Sequence, residues 1–335
     1  MESALLPAEL PTEHLWHSGQ FRYADLWRYR CWQPGHATLV LGSRRDQSAS
    51  KSPHEFSDRD HVSVAAEWLC HAQDMSGDGG VIGRYRLDQG WTSSYPETTG
   101  YIIPTFIQLA AVLGDDFLDR ASRCVEFLLG VQLENGAFPA GEIADNRTRP
   151  STFNSAQIVH GLLAWHKKTG DPASLDAAFR ACEWLVGTQD NDGAWRQYYA
   201  DARPTTYSAY MSCWLAELGV YKSDERFLAS ANRHLDWLLL QQDRDTGWFD
   251  RCGFTQELHD LRISDTHSIA YTLAGILRLS QLLERPEAMR AVQFAATGIS
   301  NTLEQWDWLP GMLNWQWNAS ANSAALTGNA QLALV

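Results

Sequence analysis

Positive charge is scarce in this sequence. Against 40 Asp and Glu, the 335 residues carry 27 Lys and Arg, a formal net charge of -13. Nucleic acid calls for basic patches, so no nucleic-acid partner is expected, while a neutral ligand is left open. The chain also has no apolar run long enough to span a bilayer, and its opening residues, MESALLPAELPTEH, contain neither a basic n-region nor an apolar h-region. A cytoplasmic protein without a membrane span is the expectation. The six cysteines agree with it, since Cys70, Cys124 and Cys182 fall within helical repeats, where a free thiol acts as a small hydrophobe. What is abundant is apolar mass: 44% hydrophobic residues and 15 tryptophans promise a sizeable core and aromatic-lined surfaces.

The pattern that organises the chain is clearest from Ser151 to Trp195. Ile158, Leu162, Leu163 and Trp165 recur at helical spacing, and Leu175, Phe179, Cys182, Leu185 and Val186 do the same. Between the two runs, Gly170 suits a helix C-terminus at positive φ, Asp171 an N-cap and Pro172 a first helical turn. The second helix carries Arg180, Glu183, Trp184, Gln189, Gly193 and Trp195. The same order returns as Arg123, Glu126, Phe127 and Gln132, as Arg233, Asp236, Trp237 and Gln242, and in part as Glu67, Trp68 and Gln73. The glutamines are 59, 57 and 53 residues apart, and a fixed period of helix pairs means stacked hairpins that bury their apolar faces on one another. Each arginine stands three residues before an acid, which reads as an ordinary helix-surface pair.

Residues 1–60, with Pro7, Pro11, Pro34 and Pro53, read as an irregular arm or cap, in which Phe21 to Trp32 forms a short amphipathic piece. Residues 61–335 read as one all-α repeat domain. Helices are expected at 61–73, 98–113, 116–132, 153–168, 173–189, 205–220, 224–241, 265–283, 286–303 and 322–335. Short turns alternate with long connectors, so all the long connectors lie at one end, where a rigid scaffold builds its sites. The nearly apolar helices form an inner layer and the charged ones an outer layer. Polar residues at the inner helix starts then share one rim. A closed ring of six hairpins has twelve helices, and ten are visible.

The glutamine–glycine–tryptophan corners resemble the QW motifs of terpenoid cyclases. The paired helices resemble the α/α toroid shared by those cyclases, protein prenyltransferase β subunits and six-hairpin glycosidases, over about residues 61–335. The string Ser93 to Tyr101, with Phe138-Pro139, Asp265-Thr266-His267 and Thr327 to Gln331, is similar to uncharacterised toroid proteins of bacterial exopolysaccharide clusters. Tyr95-Pro96 followed by Thr98-Thr99 also resembles a segment of the helical domain of glucuronyl C5-epimerases. The resemblance implies a carbohydrate-active protein of polysaccharide biosynthesis or remodelling.

Glu97, Tyr101, Asp265 and His267 are the candidate catalytic residues. A carboxylate and an imidazole at one rim suit general acid–base work, although Glu97 and Asp265 would equally serve as helix N-terminal acids. Tyr95, Trp91, Asn154, Gln157, His160, Trp195, Arg196, Tyr207, Trp248 and Asn329 are the candidate substrate-binding residues. Tryptophan faces suit the C–H faces of sugar rings, yet corner tryptophans also plug gaps between hairpins, and His160 suits a core histidine. Asp115-Asp116-Phe117-Leu118-Asp119 fits the magnesium-diphosphate pattern DDxxD but sits at a short turn, where capping explains it, and the cyclase motif DxDD is absent. Asp250, Cys252, His259 and His267 are similar in kind to prenyltransferase zinc ligands, at a far shorter spacing. No metal and no cofactor are expected. Three functions follow: an enzyme acting on a glycan by hydrolysis, β-elimination or epimerisation; an isoprenoid or zinc-dependent transferase; or a non-catalytic sugar-binding scaffold. Oligomeric state is left open.

Overall fold

The computed structural model describes residues 27–33, 35–37, 57–145, 149–199 and 202–335, so most of the expected arm lies outside the described residues. The chain divides into two compact units, Met1–Ser57 with Arg84–Thr92, and Asp58–Gly83 with Ser93–Val335. In the smaller unit, strands β1 (Tyr85–Arg86) and β2 (Gly90–Trp91) pair antiparallel. There His36 lies 2.8 Å from both the Tyr29 carbonyl and the Tyr85 hydroxyl, and Tyr85 meets Trp91 edge-on at 5.0 Å.

The larger unit is helical. Its helices are α1 (Asp58–Asp74), α2 (Pro96–Leu113), α3 (Asp116–Val131), α4 (Thr152–Thr169), α5 (Pro172–Thr188), α6 (Ala209–Lys222), α7 (Glu225–Leu239), α8 (Gln256–Leu261), α9 (Thr266–Leu282), α10 (Pro286–Trp306) and α11 (Leu326–Leu332). Ten of these answer to the expected ten. The last is shorter than expected, and α8 is an addition. Strands β3 (Ile263–Asp265) and β4 (Met312–Asn314) pair antiparallel and join two long connectors. Strands this short carry no period-two signal and were not expected.

The turn chemistry is as the sequence indicates. Gly170 closes α4 at φ 79, Asp171 accepts from the N–H groups of Ala173 and Ser174, and Pro172 opens α5. Helices α2, α4, α6, α9 and α11 pack side by side as the inner layer, while α3, α5, α7 and α10 back them. Every inner helix follows a long connector, so all five start at the same end. Their close approach depends on missing side chains: a Cβ on Gly161 would meet the Gly100 carbonyl at 2.0 Å, and one on Gly328 the Thr266 hydroxyl at 2.2 Å. Leu128, Leu162, Leu185, Leu215 and Leu235, all buried, fill the space between the layers.

The corners explain the repeat. The side-chain amide of each corner glutamine donates to the glycine carbonyl of its own corner and to a carbonyl of the next outer helix. The pairs are Gly79 and Arg120 for Gln73, Gly136 and Ala177 for Gln132, Gly193 and Ser230 for Gln189, and Gly247 and Ala291 for Gln242, all at 2.8–3.1 Å. The glutamine oxygen accepts from an arginine of that next helix: Arg120 at 3.2 Å for Gln73, Arg180 for Gln132, and Arg233 at 2.6 Å for Gln189. This corrects the expected pairing with an acid three residues on. Arg180 and Arg233 reach backward across the ring to the preceding repeat, and Arg123 reaches Asp74 at 3.5 Å. Each corner glycine has positive φ and lies against the backbone of the next helix. A Cβ on Gly193 would stand 2.3 Å from the Arg233 carbonyl.

Candidate active site

The inner helix starts bring together residues that are far apart in sequence. Glu97 sits in the first turn of α2, half-buried, and the Tyr95 hydroxyl donates to its Oε2 at 2.6 Å. Burial pushes the Glu97 carboxyl up, and the Tyr95 hydrogen bond opposes the shift only in part. Tyr101 lies one turn further along. Burial first, and then the charge of Glu97, pushes its phenol up; burial is also the first cause on Tyr207 and Tyr271, where the charge of Glu97 adds a smaller push, on Tyr207 against hydrogen bonds with Tyr199 and Thr205 and on Tyr271 after the effect of Tyr101. Glu97 is therefore within electrostatic reach of α9 and of the turn before α6.

His267 occupies the start of α9. Its Nδ1–H donates to Oε1 of Gln331 on α11 at 2.6 Å, which leaves the lone pair on Nε2. Gln331 also hydrogen-bonds Tyr271, whose ring centre is 4.3 Å from that of His267. Around them stands an aromatic wall. Phe153 of α4 meets Tyr207 at 5.6 Å, Tyr271 at 6.1 Å and Tyr199 at 6.4 Å, and Tyr271 stacks on Tyr210 at 4.5 Å. Phe254 closes the lip against Tyr207 at 5.0 Å.

The charge of Glu97 thus reaches Tyr101, Tyr207 and Tyr271, and the His267 ring packs on Tyr271. Other candidates have structural duties instead. Asp265 is the N-cap of α9, accepting from the N–H and hydroxyl of Ser268 at 2.8 and 3.0 Å, and is not the partner of His267. Trp195 and Trp248 are each 2% exposed: the Trp195 indole donates to the Leu185 carbonyl at 2.9 Å, and Trp248 packs edge-on against Trp317. With no free ring face they fill gaps between hairpins. Arg196 is bound to Asp190 and Asp192 within its own loop, which holds the Asp192 carboxyl down to about 2. The Asn154 amide donates to the Pro139 carbonyl at 3.2 Å. Trp91 belongs to the smaller unit. Gln157 and His160 lie deeper on α4, and burial holds the His160 imidazole down to about 4. Asn329 is half-buried on α11, with its Oδ1 unpartnered among the described residues.

The residues that sequence reasoning missed are Gln331 as the partner of His267, and Phe153 and Phe254 as lining. The spacing of Phe153 on its helix, at the same depth as Glu97 and His267, was the available signal. Asp116 and Asp119 stand in the first turn of α3, at the end opposite the mouth. Asp250 bonds Arg262, Cys252 is buried beside Thr272, and His259 bonds the Gly253 carbonyl. Among the described residues, no group of three or more His, Cys, Asp or Glu is placed to hold a metal. Nor, among them, is any helix long and apolar enough to cross a membrane. A separate groove of about 400 Å³ runs along α1 past Glu67, Cys70, His71 and Asp74, where Asp74 is bound by Arg120.

No family model matches the chain. It is 25% identical over 274 residues to a squalene–hopene cyclase of Zymomonas mobilis subsp. mobilis, a match covering 73% of this chain and 39% of the cyclase. The chain therefore spans about two fifths of the length of that curated relative. Among solved structures, cellobiose 2-epimerase from Spirochaeta thermophila superposes with a TM-score of 0.64 at 14% identity, covering 92% of this chain and 82% of that one. An unsaturated glucuronyl hydrolase specific for heparin does so with a TM-score of 0.59 at 14% identity, covering 72% and 67%. At such identities the likeness is one of fold. The two helix layers, the glutamine-stapled corners and these likenesses give the chain the α/α-toroid fold.

Proposed function

We propose that the chain is an enzyme that acts on a carbohydrate in the mouth of the toroid, by moving a proton at a sugar carbon. Epimerisation and β-elimination share this first step. Nε2 of His267 takes the proton from a carbon next to a carbonyl or carboxyl group, and Glu97, kept protonated further toward neutral pH by its burial, donates to the enolate oxygen. The imidazolium then gives its proton either to the opposite face of an enol that has turned over in the site, which yields the epimer, or to the departing oxygen substituent, which yields the unsaturated product, and in both cases the enol proton goes back to Glu97. What supports this reading is that burial raises the Glu97 carboxyl, that its charge reaches Tyr271, and that the His267 ring packs on Tyr271 with, among the described residues, no partner at Nε2. Hydrolysis is less favoured, because it needs a second carboxylate across the scissile bond and Asp265 is held as a helix cap. The fold likeness to a sugar epimerase and a glucuronyl hydrolase supports a glycan substrate. The resemblance to exopolysaccharide-cluster proteins supports a role in bacterial polysaccharide biosynthesis or remodelling. Six free cysteines support a cytoplasmic setting.

Isoprenoid cyclisation is the second reading, favoured by the cyclase relative and the aromatic walls. Protonating an alkene needs a strong acid, however, and burial makes Glu97 a weaker one. Incubation with reducing and uronate-containing oligosaccharides in deuterium oxide decides the matter. Deuterium entering the sugar at the carbon beside the carbonyl, lost in His267→Ala, is the expected result. Glycosidic cleavage without exchange would show a hydrolase, and sugar binding without any turnover would show a scaffold.

A further inference from the structure

The side-chain amides at the corners are satisfied: those of Gln73, Gln132, Gln189 and Gln242 each make at least two hydrogen bonds. Gln157 differs from them. It is 0% exposed, and among the described residues neither its Nε2 nor its Oε1 has a partner. Two more buried polar atoms nearby share this condition, Nδ1 of His160 and Nε1 of Trp214. The imidazole of His160 lies flat on the Trp214 indole, with ring centres 3.7 Å apart and planes 5° apart. Phe153, Gln157 and His160 are four and three residues apart, so they form one stripe on α4, and Phe153 marks that stripe as the face turned toward Tyr207 and Tyr271. From Trp214 the rings continue to Tyr210 at 5.3 Å and on to Tyr271 and His267. His160 lies about 10 Å below Phe153 at the rise of an α-helix.

Leaving buried amide, imidazole and indole groups unpaired costs stability, and a side chain retained at that cost has a use. The groups set the chemistry of what completes them. Gln157 offers a donor and an acceptor, Trp214 a donor, and His160, held down to about 4 by burial, is uncharged at neutral pH. An anion would serve only the donors and a cation only the acceptors. A hydroxyl group serves both. Flat aromatic rings beside it suit the C–H faces of a pyranose.

Resting on the carbohydrate reading above, we infer that Gln157, His160 and Trp214 form a subsite for an uncharged sugar ring, below the mouth where Glu97 and His267 stand. A substrate seated there enters by its end, so the enzyme acts at or next to a chain terminus and the terminal unit is neutral.

The test measures binding of neutral oligosaccharides of one to four units by calorimetry, together with thermal melting, for the wild type, Gln157→Leu and His160→Phe. The first variant removes the unpaired amide at nearly constant shape, and the second keeps the stack on Trp214. Binding at least tenfold weaker in both, with melting at or above that of the wild type, is expected. Equal binding in wild type and variants overturns the subsite and leaves the glycan reading standing. A wild type that binds only oligosaccharides with an acidic end also overturns it. A wild type that binds no sugar removes the glycan reading and the subsite together. Should Gln157→Leu not fold, His160→Phe alone carries the comparison.

Discussion

The corners of the outer layer and the mouth of the inner layer are built from the same repeat and differ in one respect. At the corners every repeat does the same thing: a glutamine amide bridges its own glycine and the next helix, four times over. At the mouth every repeat does something different. Equivalent helix starts supply Glu97, Phe153, Tyr207 and His267, and α11 adds Gln331. Where a repeat is kept uniform it is holding the ring together, and where it diverges it is available for chemistry.

The sharpest way to break this comparison is to mutate both regions and read stability and turnover separately. His267→Ala should lower turnover by about 10³-fold, on the order of 4 kcal/mol of barrier, with little change in melting. A loss of folding with no loss in turnover per folded molecule would mean that the mouth is structural. Gly193→Ala should do the reverse. Its Cβ meets the Arg233 carbonyl at 2.3 Å from a backbone at φ 91, so about 3 kcal/mol of stability should go, measured by urea unfolding.

Acid should expose the corner in a comparable amount. His234 is fully buried, with Nδ1–H donating to the Gly193 carbonyl at 2.9 Å, and burial lowers its pKa from 6.5 to about 4. Between those values the unfolded chain binds a proton that the folded one does not, so stability falls as pH drops from about 6.5 toward 4, by about 3 kcal/mol in all. Comparing urea midpoints at pH 7 and pH 4.5 for the wild type and His234→Phe checks this, the variant showing the shallower decline. Gln189→Leu removes the bridge to Gly193 and Ser230 and strands Arg233, for a loss of about 2 kcal/mol with turnover intact. The smallest effect is expected for Gln331→Leu. Freeing the His267 tautomer should lower turnover about tenfold, close to 1.4 kcal/mol, and change the imidazole nitrogen shifts seen by NMR while leaving melting unchanged.

Much of the fold was legible because its causes are local and repeated. The turn Gly170-Asp171-Pro172 announces its own geometry, and the glutamine period announces the ring. The arginines were misread because their partners lie 44 to 49 residues away, while an acid three residues on offered a nearer answer. Residues two apart on a helix point to different faces, so Asp265 caps the helix while His267 reaches Gln331, 64 residues on. Trp195 and Trp248 had the composition of a sugar platform, but whether an indole presents its face or is sandwiched depends on the neighbouring hairpin, which residue type does not encode.

The common starting end of the five inner helices has one further consequence. Aligned peptide groups place about half a positive charge at the first turn of a helix. Five such ends border the same rim, so the main chain itself contributes positive potential there in a molecule whose formal charge is -13. Negative charge gathering on a bound oxygen is met from several directions by backbone that needs no rearrangement, which lets the side chains of the rim vary without removing that support.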